Sequence, residues 1–181
     1  MTKAQLTVLA GPTAVGKGTV VAALTKRFPT LNVSISATTR DPRPGELNGV
    51  HYYFVSTQEF DAMIERGDML EWALVHGKNK YGTPRGPVDE ALAAGKPVLL
   101  EIDLAGARQV RSTRPDAQFI FLAPPSWEEL EHRLIGRGTE SPEEQARRLA
   151  TARVELEAAS EFDHVVINDD VERAVDELAR L

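Results

Sequence analysis

Four short apolar runs punctuate the chain: Leu6–Ala10, Pro97–Ile102, Gln118–Ala123 and His164–Ile167. Each has strand length, and each is followed or preceded by a stretch whose apolar positions recur at helical spacing. The helical pattern covers Gly16–Arg27, Pro84–Ala94, Leu104–Ser112, Ser126–Ile135, Pro142–Ala159 and Val171–Leu181. Ser126, with Glu129 three residues later, forms a capping box, and Asp170 stands where the last helix needs a cap. Strands alternating with helices over short links predict an α/β fold with a doubly wound parallel sheet.

Two segments break that rhythm. Residues 34–83 contain Pro42, Pro44, Gly45, Asn48 and Gly49, then an alternating segment at His51–Val55, a short helix at Thr57–Arg66 and an apolar run at Met69–Val75. This predicts a mixed α/β subdomain inserted into the core. The Arg- and Gly-rich stretch Arg133–Thr139 joins two helices and predicts a helical lid. The expected organisation is a single domain with its core at residues 1–33, 84–125 and 160–181, the insertion at 34–83 and the lid at 126–159. The chain shows no internal repeat and no low-complexity linker.

The junction between the first run and the first helix carries the strongest chemical signal. It reads Gly11-Pro12-Thr13-Ala14-Val15-Gly16-Lys17-Gly18-Thr19. A strand, a glycine-framed loop and a helix in that order make a P-loop. The glycines let successive N–H groups turn toward phosphate oxygens, the helix N-terminus adds positive partial charge, and Lys17 reaches the outer phosphates. A glycine-rich turn before an ordinary helix would explain the glycines but not the lysine. Gly18 stands where a serine or threonine normally supplies a Mg²⁺ ligand.

Charge and cysteine content narrow the classes. The 181 residues hold 21 basic and 27 acidic side chains, a formal net charge of −6, which argues against general nucleic-acid or anionic-membrane binding. A polyphosphate-binding chain of this sign must concentrate its arginines locally. With no cysteine, disulfides, thiolate metal sites and cysteine nucleophiles are excluded. The apolar run near the N-terminus leads straight into the phosphate loop, so cleavage as a signal peptide would destroy the loop. No apolar stretch has bilayer-spanning length. A soluble cytoplasmic protein is expected, and both a monomer and a homodimer are compatible with the sequence.

The insertion gathers Ser36, Thr38, Thr39, Arg40, Arg43 and Glu46 around Pro42 and Pro44, with Tyr52 close by and Tyr81-Gly82-Thr83 at its end. Two arginines with tyrosine hydroxyls suit a phosphate monoester, because guanidinium offers forked donors and each tyrosine one directional donor. A solvated basic loop is the plainer alternative. Glu71 lies beside Trp72 in an otherwise apolar segment. Its carboxylate either faces solvent, pairs with an arginine, or accepts the two adjacent donors of a guanine edge, a pairing that discriminates by about 1–3 kcal/mol. Glu101 and Asp103 close the second apolar run, where a P-loop fold brings acids near nucleotide and metal; Asp103 would equally serve as a helix cap. Arg133, Arg137 and Arg148 fall on or beside the lid, where a single arginine can contribute roughly 10³–10⁵ in phosphoryl-transfer rate. They could instead pair with Glu143, Glu144 or Glu155. His51, His76, His132 and His164 have no metal or triad spacing and read as surface or structural residues.

Taken together, these motifs closely resemble the guanylate kinase family. The matching pieces are Gly11–Thr19, Ser36–Glu46 with Gly49 and Tyr52, Glu71-Trp72-Ala73, Tyr81-Gly82-Thr83 and Glu101–Gly106, then Phe121–Ser126, Arg133–Glu140 and Ile167–Asp170. They run in the family's order over nearly the whole chain. The resemblance implies transfer of the γ-phosphoryl group of ATP to GMP, and to dGMP, with Mg²⁺, giving ADP and GDP in GMP recycling and GTP supply. It implies that Ser36, Glu71, Thr83 and Asp103 contact guanine while Arg40, Arg43, Tyr52 and Tyr81 hold the GMP phosphate. It places Gly11, Pro12, Thr13, Ala14, Val15, Gly16, Lys17, Gly18 and Thr19 on the ATP phosphates and Asn168 near the adenine. Lys17, Arg40, Arg133, Arg137 and Arg148 would be the catalytic cations. Such a reaction requires no strong base, since the attacking phosphate is already anionic; positioning and charge neutralisation dominate.

Gly18 departs from the family, many of whose members carry serine there, and gives the loop an adenylate kinase look. Mg²⁺ is then expected to rest mainly on ATP phosphates and water, with Glu101 and Asp103 in its outer shell. Two other functions compete. A catalytically inactive protein-binding module of the same family typically loses the loop lysine or the lid arginines, all of which are present here. A kinase of another phosphorylated acceptor is distinguished by Glu71.

Overall fold

The computed structural model describes residues 4–136 and 140–181. Along the chain the elements are β1 (Leu6–Ala10), α1 (Lys17–Arg27), β2 (Asn32–Val33), β3 (Ala37–Thr38), β4 (Tyr53–Phe54), α2 (Thr57–Glu65), β5 (Met69–Val75) and β6 (Asn79–Pro84). They continue with α3 (Arg85–Ala93), β7 (Val98–Glu101), α4 (Leu104–Thr113), β8 (Gln118–Ala123), α5 (Trp127–Ile135), α6 (Pro142–Glu157), β9 (His164–Ile167) and α7 (Val171–Ala179). The fold is α/β with a core of parallel strands. The chain divides into two compact units, one made of the segment ending at Leu6 with Leu31–Leu100 and Ala105–Ala117, the other of Thr7–Thr30, Glu101–Leu104 and Gln118–Leu181.

In the unit that contains the phosphate loop, β1 runs parallel to β8, with Thr7 opposite Gln118 and Ala10 opposite Phe121. β8 in turn runs parallel to β9, Ile120 facing His164 and Ala123 facing Ile167. Val8, Leu9 and Ala10 are fully buried, as are Phe119 to Leu122 to within 1%, which is why these runs lack the polar alternation of a half-exposed strand. Helix α1 buries Val20, Val21 and Leu24, and α7 buries Ala174, Val175 and Leu178. Arg27 ties the two together through Glu172 and Asp176. A smaller apolar cluster joins α5 and α6: Leu130, Leu134 and Ala152 are packed by Trp127, Leu149 and Leu156. Ser126, Ser141 and Asp170 cap α5, α6 and α7, each accepting a backbone N–H three residues on at 2.9–3.2 Å.

The other unit contains residues 34–83, the segment expected to be an insertion. Its two-residue β2 pairs parallel with β7, Asn32 opposite Val98 and Val33 opposite Leu99. Its second sheet has the order β4-β3-β6-β5 and is mixed: β3 is parallel to β4, and β6 is antiparallel to both β3 and β5. The β5–β6 hairpin turns through His76 (φ 53°) and Gly77 (φ 61°). Ala37, Phe60 and Met69 form the core beneath this sheet, packed by Tyr53, Val55, Met63, Ile64 and Trp72. Ser56 caps α2 by accepting the Glu59 N–H at 3.1 Å.

Where an element is expected, the observed one differs mainly at its ends; β2, β3 and β6 are additional. The Pro97–Ile102 run is a strand only over Val98–Glu101, and the helix from Pro142 passes at Ala158 into a 3₁₀ turn ending at Glu161. Among the described residues no helix is long and apolar enough to cross a membrane.

Candidate active site

In the loop after β1, backbone conformation carries the design. A Cβ at Gly11 would collide with the Leu122 carbonyl oxygen, so only glycine lets β1 and the loop lie this close to β8. Gly16, at φ 96°, is left-handed and sits as N-cap of α1, where a Cβ would lie 2.9 Å from Asn168 Nδ2. Ala14 is also left-handed (φ 69°), an unusual state for a residue with a Cβ. The Val15 carbonyl between them is held from two sides. Asn168 Nδ2, on a residue only 4% exposed, donates to it at 2.8 Å, and Arg133 Nη1 donates to it at 3.1 Å.

Lys17 points back into the loop and donates from Nζ to the Gly11 carbonyl at 2.9 Å. Burial pushes its pKa below the ordinary 10.5, opposed by the negative charges of Glu155, Glu101 and Asp103. Glu155, on α6, is the residue that sequence reasoning did not place here. Burial raises its pKa, while Lys17 and the Thr13 N–H pull it back down. Among the described residues its buried Oε1 has no hydrogen-bond partner. At Gly18 a Cβ would come no closer than 4.0 Å to Glu101 Oε1, so the position has room for a side chain.

Of the arginines expected on the lid, Arg133 divides its guanidinium between the Val15 carbonyl and Glu129 Oε1, the latter at 2.8 Å. Arg148 pairs with Glu140 at 2.7 Å, rather than with Glu143, Glu144 or Glu155. Arg137 lies outside the described residues.

In the insertion, Arg40 is the centre of a built cluster. Its Nη1 and Nη2 donate to the two oxygens of Glu46 at 2.9 and 3.0 Å, Nη1 also to the Asp41 carbonyl at 3.0 Å, and Nε to the Tyr81 hydroxyl at 3.3 Å. The guanidinium lies 5.3 Å from the Tyr52 ring centre, and Tyr52 meets Tyr81 edge-on at 6.0 Å. Glu46 accepts the Arg43 N–H as well, at 2.7 Å. The Arg40 guanidinium first, and that N–H second, hold the Glu46 carboxyl at about 2. Glu46 in turn raises the Arg40 pKa further above its ordinary value. Sequence reasoning quoted Glu46 within the motif without giving it this part. The (i, i+6) spacing across a Pro-Gly turn was its signal.

Glu71 and Thr83 face each other across β5 and β6, and the Thr83 hydroxyl donates to Glu71 Oε1 at 2.7 Å. Thr83 is 2% exposed, so this pair meets at the edge of the core rather than in open solvent. Gly82 allows the close approach: a Cβ there would lie 2.7 Å from the Glu71 carbonyl oxygen and 2.9 Å from Trp72 Cβ. Ser36 sits just before β3, its carbonyl accepting the Tyr53 N–H at 2.9 Å. Asp103 belongs with Lys17 in the loop-containing unit. His51 is structural, its Nδ1 accepting the Leu47 N–H at 2.9 Å.

The sequence profile of the guanylate kinase family matches residues 3–181. The chain belongs to the guanylate kinase family. Among its relatives, the guanylate kinase of Cutibacterium acnes is 60% identical over 96% of this chain and 87% of that protein. That of Nocardia farcinica is 59% identical over 99% of this chain and 93% of its own length. A solved guanylate kinase from Anaplasma phagocytophilum superposes with a TM-score of 0.74 at 31% identity, covering 99% of this chain and 85% of that one. A shikimate kinase from Bacteroides thetaiotaomicron, 14% identical with a TM-score of 0.51 over 97% of this chain and 96% of that one, shares the fold alone.

Proposed function

We propose that this guanylate kinase family member transfers the γ-phosphoryl group of ATP to GMP, giving ADP and GDP. The observation that supports the reading is that Lys17 turns back into the Gly11–Thr19 loop, while in the other unit Arg40, Tyr52 and Tyr81 cluster and Glu71 pairs with Thr83. The first suits a triphosphate, the second a nucleoside monophosphate.

On this reading the loop amides from Gly11 to Thr19 and the Lys17 ammonium bind the ATP phosphates, and Asn168 supports the loop beside the adenine. Arg40, Arg43, Tyr52 and Tyr81 take the GMP phosphate. Glu71, with Ser36, Thr83 and Asp103, takes the guanine. The Thr83 hydroxyl already orients one Glu71 oxygen. Arg133, Arg137 and Arg148 neutralise the charge that develops on the transferred group, so the chain needs positioning and cations rather than a general base. We assign residues 34–83 as the GMP-binding insertion, 126–159 as the lid and the rest as the core.

Mg²⁺ enters with ATP as the MgATP substrate. The donor set fits that role. Glu101 and Asp103, whose negative charges act on Lys17, would serve as outer-shell acceptors for the ion. The ion supplies charge neutralisation on the phosphates, and the residues orient the nucleotide that carries it.

A coupled ADP-release assay tests the function. Turnover with GMP well above that with AMP is expected. Equal rates on the two would remove guanine as the acceptor base, and no turnover with either would favour a binding module.

A further inference from the structure

Strand β5 lies at the edge of its sheet, paired on one side by β6. On the other side two side chains of α4 stand in for a neighbouring strand. The Gln109 carboxamide binds the Trp72 main chain at two points: the Trp72 N–H donates to Oε1 at 3.0 Å, and Nε2 donates to the Trp72 carbonyl at 2.8 Å. One turn further along α4, Thr113 Oγ1 donates to the Leu70 carbonyl at 2.9 Å. The i, i+4 spacing puts both side chains on one face of the helix. Leu70 and Trp72, two residues apart, turn their main-chain groups to the same strand edge.

The residue between them is Glu71. Its main chain is gripped from the far side as well, because Gly82 of β6 packs against the Glu71 carbonyl and Trp72 Cβ. The need for such a grip is visible in the ladder, whose register shifts between Met69 and Glu71. A bulged edge strand has the freedom to slip by one residue, and a one-residue slip turns every side chain to the opposite face. Here that would swing the Glu71 carboxylate away from Thr83.

We infer that Gln109 and Thr113 are positioning residues for acceptor-base recognition: they fix the phase of β5 so that the Glu71 carboxylate stays on the Thr83 side, where it meets the guanine edge. This deepens the proposed function and rests on its reading of Glu71. Neither residue touches substrate. They act through the strand that carries the recognising group.

The experiment compares steady-state kinetics for Q109L, T113V, T113S, E71Q and the double variant Q109L/E71Q, with GMP, AMP and ATP varied separately. Q109L is expected to raise KM for GMP about tenfold and to narrow the GMP-over-AMP preference while leaving KM for ATP unchanged. T113V should raise KM for GMP about three- to fivefold, and T113S, which keeps the hydroxyl, should return it close to wild type. In the E71Q background Q109L should add little, because the group it positions is already disabled. The inference is overturned if E71Q damages GMP use but Q109L and T113V do not. It is also overturned if they raise the KM values for GMP and ATP alike, or if the Q109L and E71Q effects multiply. If E71Q itself leaves KM for GMP and the preference intact, the Glu71 reading fails, and the inference with it. Should Q109L not fold, the T113V and T113S pair decides alone.

Discussion

On the proposed reading, the two anion-binding regions of this chain reach the same end by opposite means. In the insertion, the cation is a side chain that is already fully engaged: Arg40 is forked onto Glu46, bonded to Tyr81 and stacked on Tyr52. A phosphate arriving there exchanges one anionic partner for another, with the guanidinium ordered beforehand. In the loop after β1, the main chain does the work. Ala14 and Gly16 are held left-handed, the Val15 carbonyl is pinned by Asn168 and Arg133, and the lysine is half-desolvated with a neutral carbonyl for its nearest partner. On that reading, a triphosphate arriving there gives the Lys17 ammonium an anionic acceptor in place of the Gly11 carbonyl. One region stores its cation in an ion pair, and the other keeps a cation that burial penalises.

The largest test of that contrast is Lys17→Met. Its kcat/KM should fall by roughly 10³ or more, since the outer phosphates lose their only loop cation. Stability should move the other way or not at all. The folded pKa of Lys17 lies below 10.5, so its folding contribution is favourable only above that value and is lost as pH falls through the folded pKa. At neutral pH the buried ammonium is therefore a cost, and thermal unfolding of the variant at pH 7 should occur no lower than in wild type.

Arg40→Lys comes next. It keeps the charge but not the fork, and should raise KM for GMP by about 10- to 100-fold with KM for ATP unchanged. An equal rise in both would dissolve the distinction between the two regions.

Smaller again is the acid behaviour of Glu46. Its folded pKa of about 2 lies below the ordinary 4.5, so the stability it contributes is fully present above 4.5 and is lost as pH falls toward 2. Urea unfolding of wild type and Glu46→Gln should therefore differ by a constant amount above pH 5, with the wild-type advantage shrinking below it. An advantage that persists undiminished at pH 2 would break the ion-pair account.

The smallest effect is expected at Gly18→Ser. The position is open, and if, as proposed, Mg²⁺ rests mainly on the ATP phosphates, the Mg²⁺ concentration for half-maximal rate should shift about two- to threefold. No shift at all would remove the support for that account of the loop.

The parts of the fold legible in the sequence are those whose physics is local. β1, β5, β8 and β9 begin and end where their runs do, because each is a short stretch dominated by apolar, strand-favouring residues. The caps at Ser126 and Asp170 were readable because capping is equally local. β2 and β3 were not, since two residues carry no periodicity and such strands exist only by virtue of the partner they pair with, whereas β4 lies within the alternating segment His51–Val55. β6 reads Asn-Lys-Tyr-Gly-Thr-Pro, a composition that argues for a loop; strands on both of its sides override it. The site divides likewise. Arg40, Tyr52 and Tyr81 could be grouped from spacing and chemistry, whereas Glu155 meets the Lys17 environment from 138 residues away, a distance at which no sequence pattern speaks.

The two tryptophans of the chain fall one in each unit, and each ring carries a cation. Trp72 lies next to Glu71 with the Lys80 ammonium 5.8 Å from its ring centre, and Trp127 is stacked by the Arg153 guanidinium at 4.0 Å. The molecule therefore carries a separate optical reporter in each half. With Trp127→Phe or Trp72→Phe, the emission of the remaining indole follows one half while the other is titrated, so the order in which two nucleotides engage becomes readable in a cuvette without any attached dye.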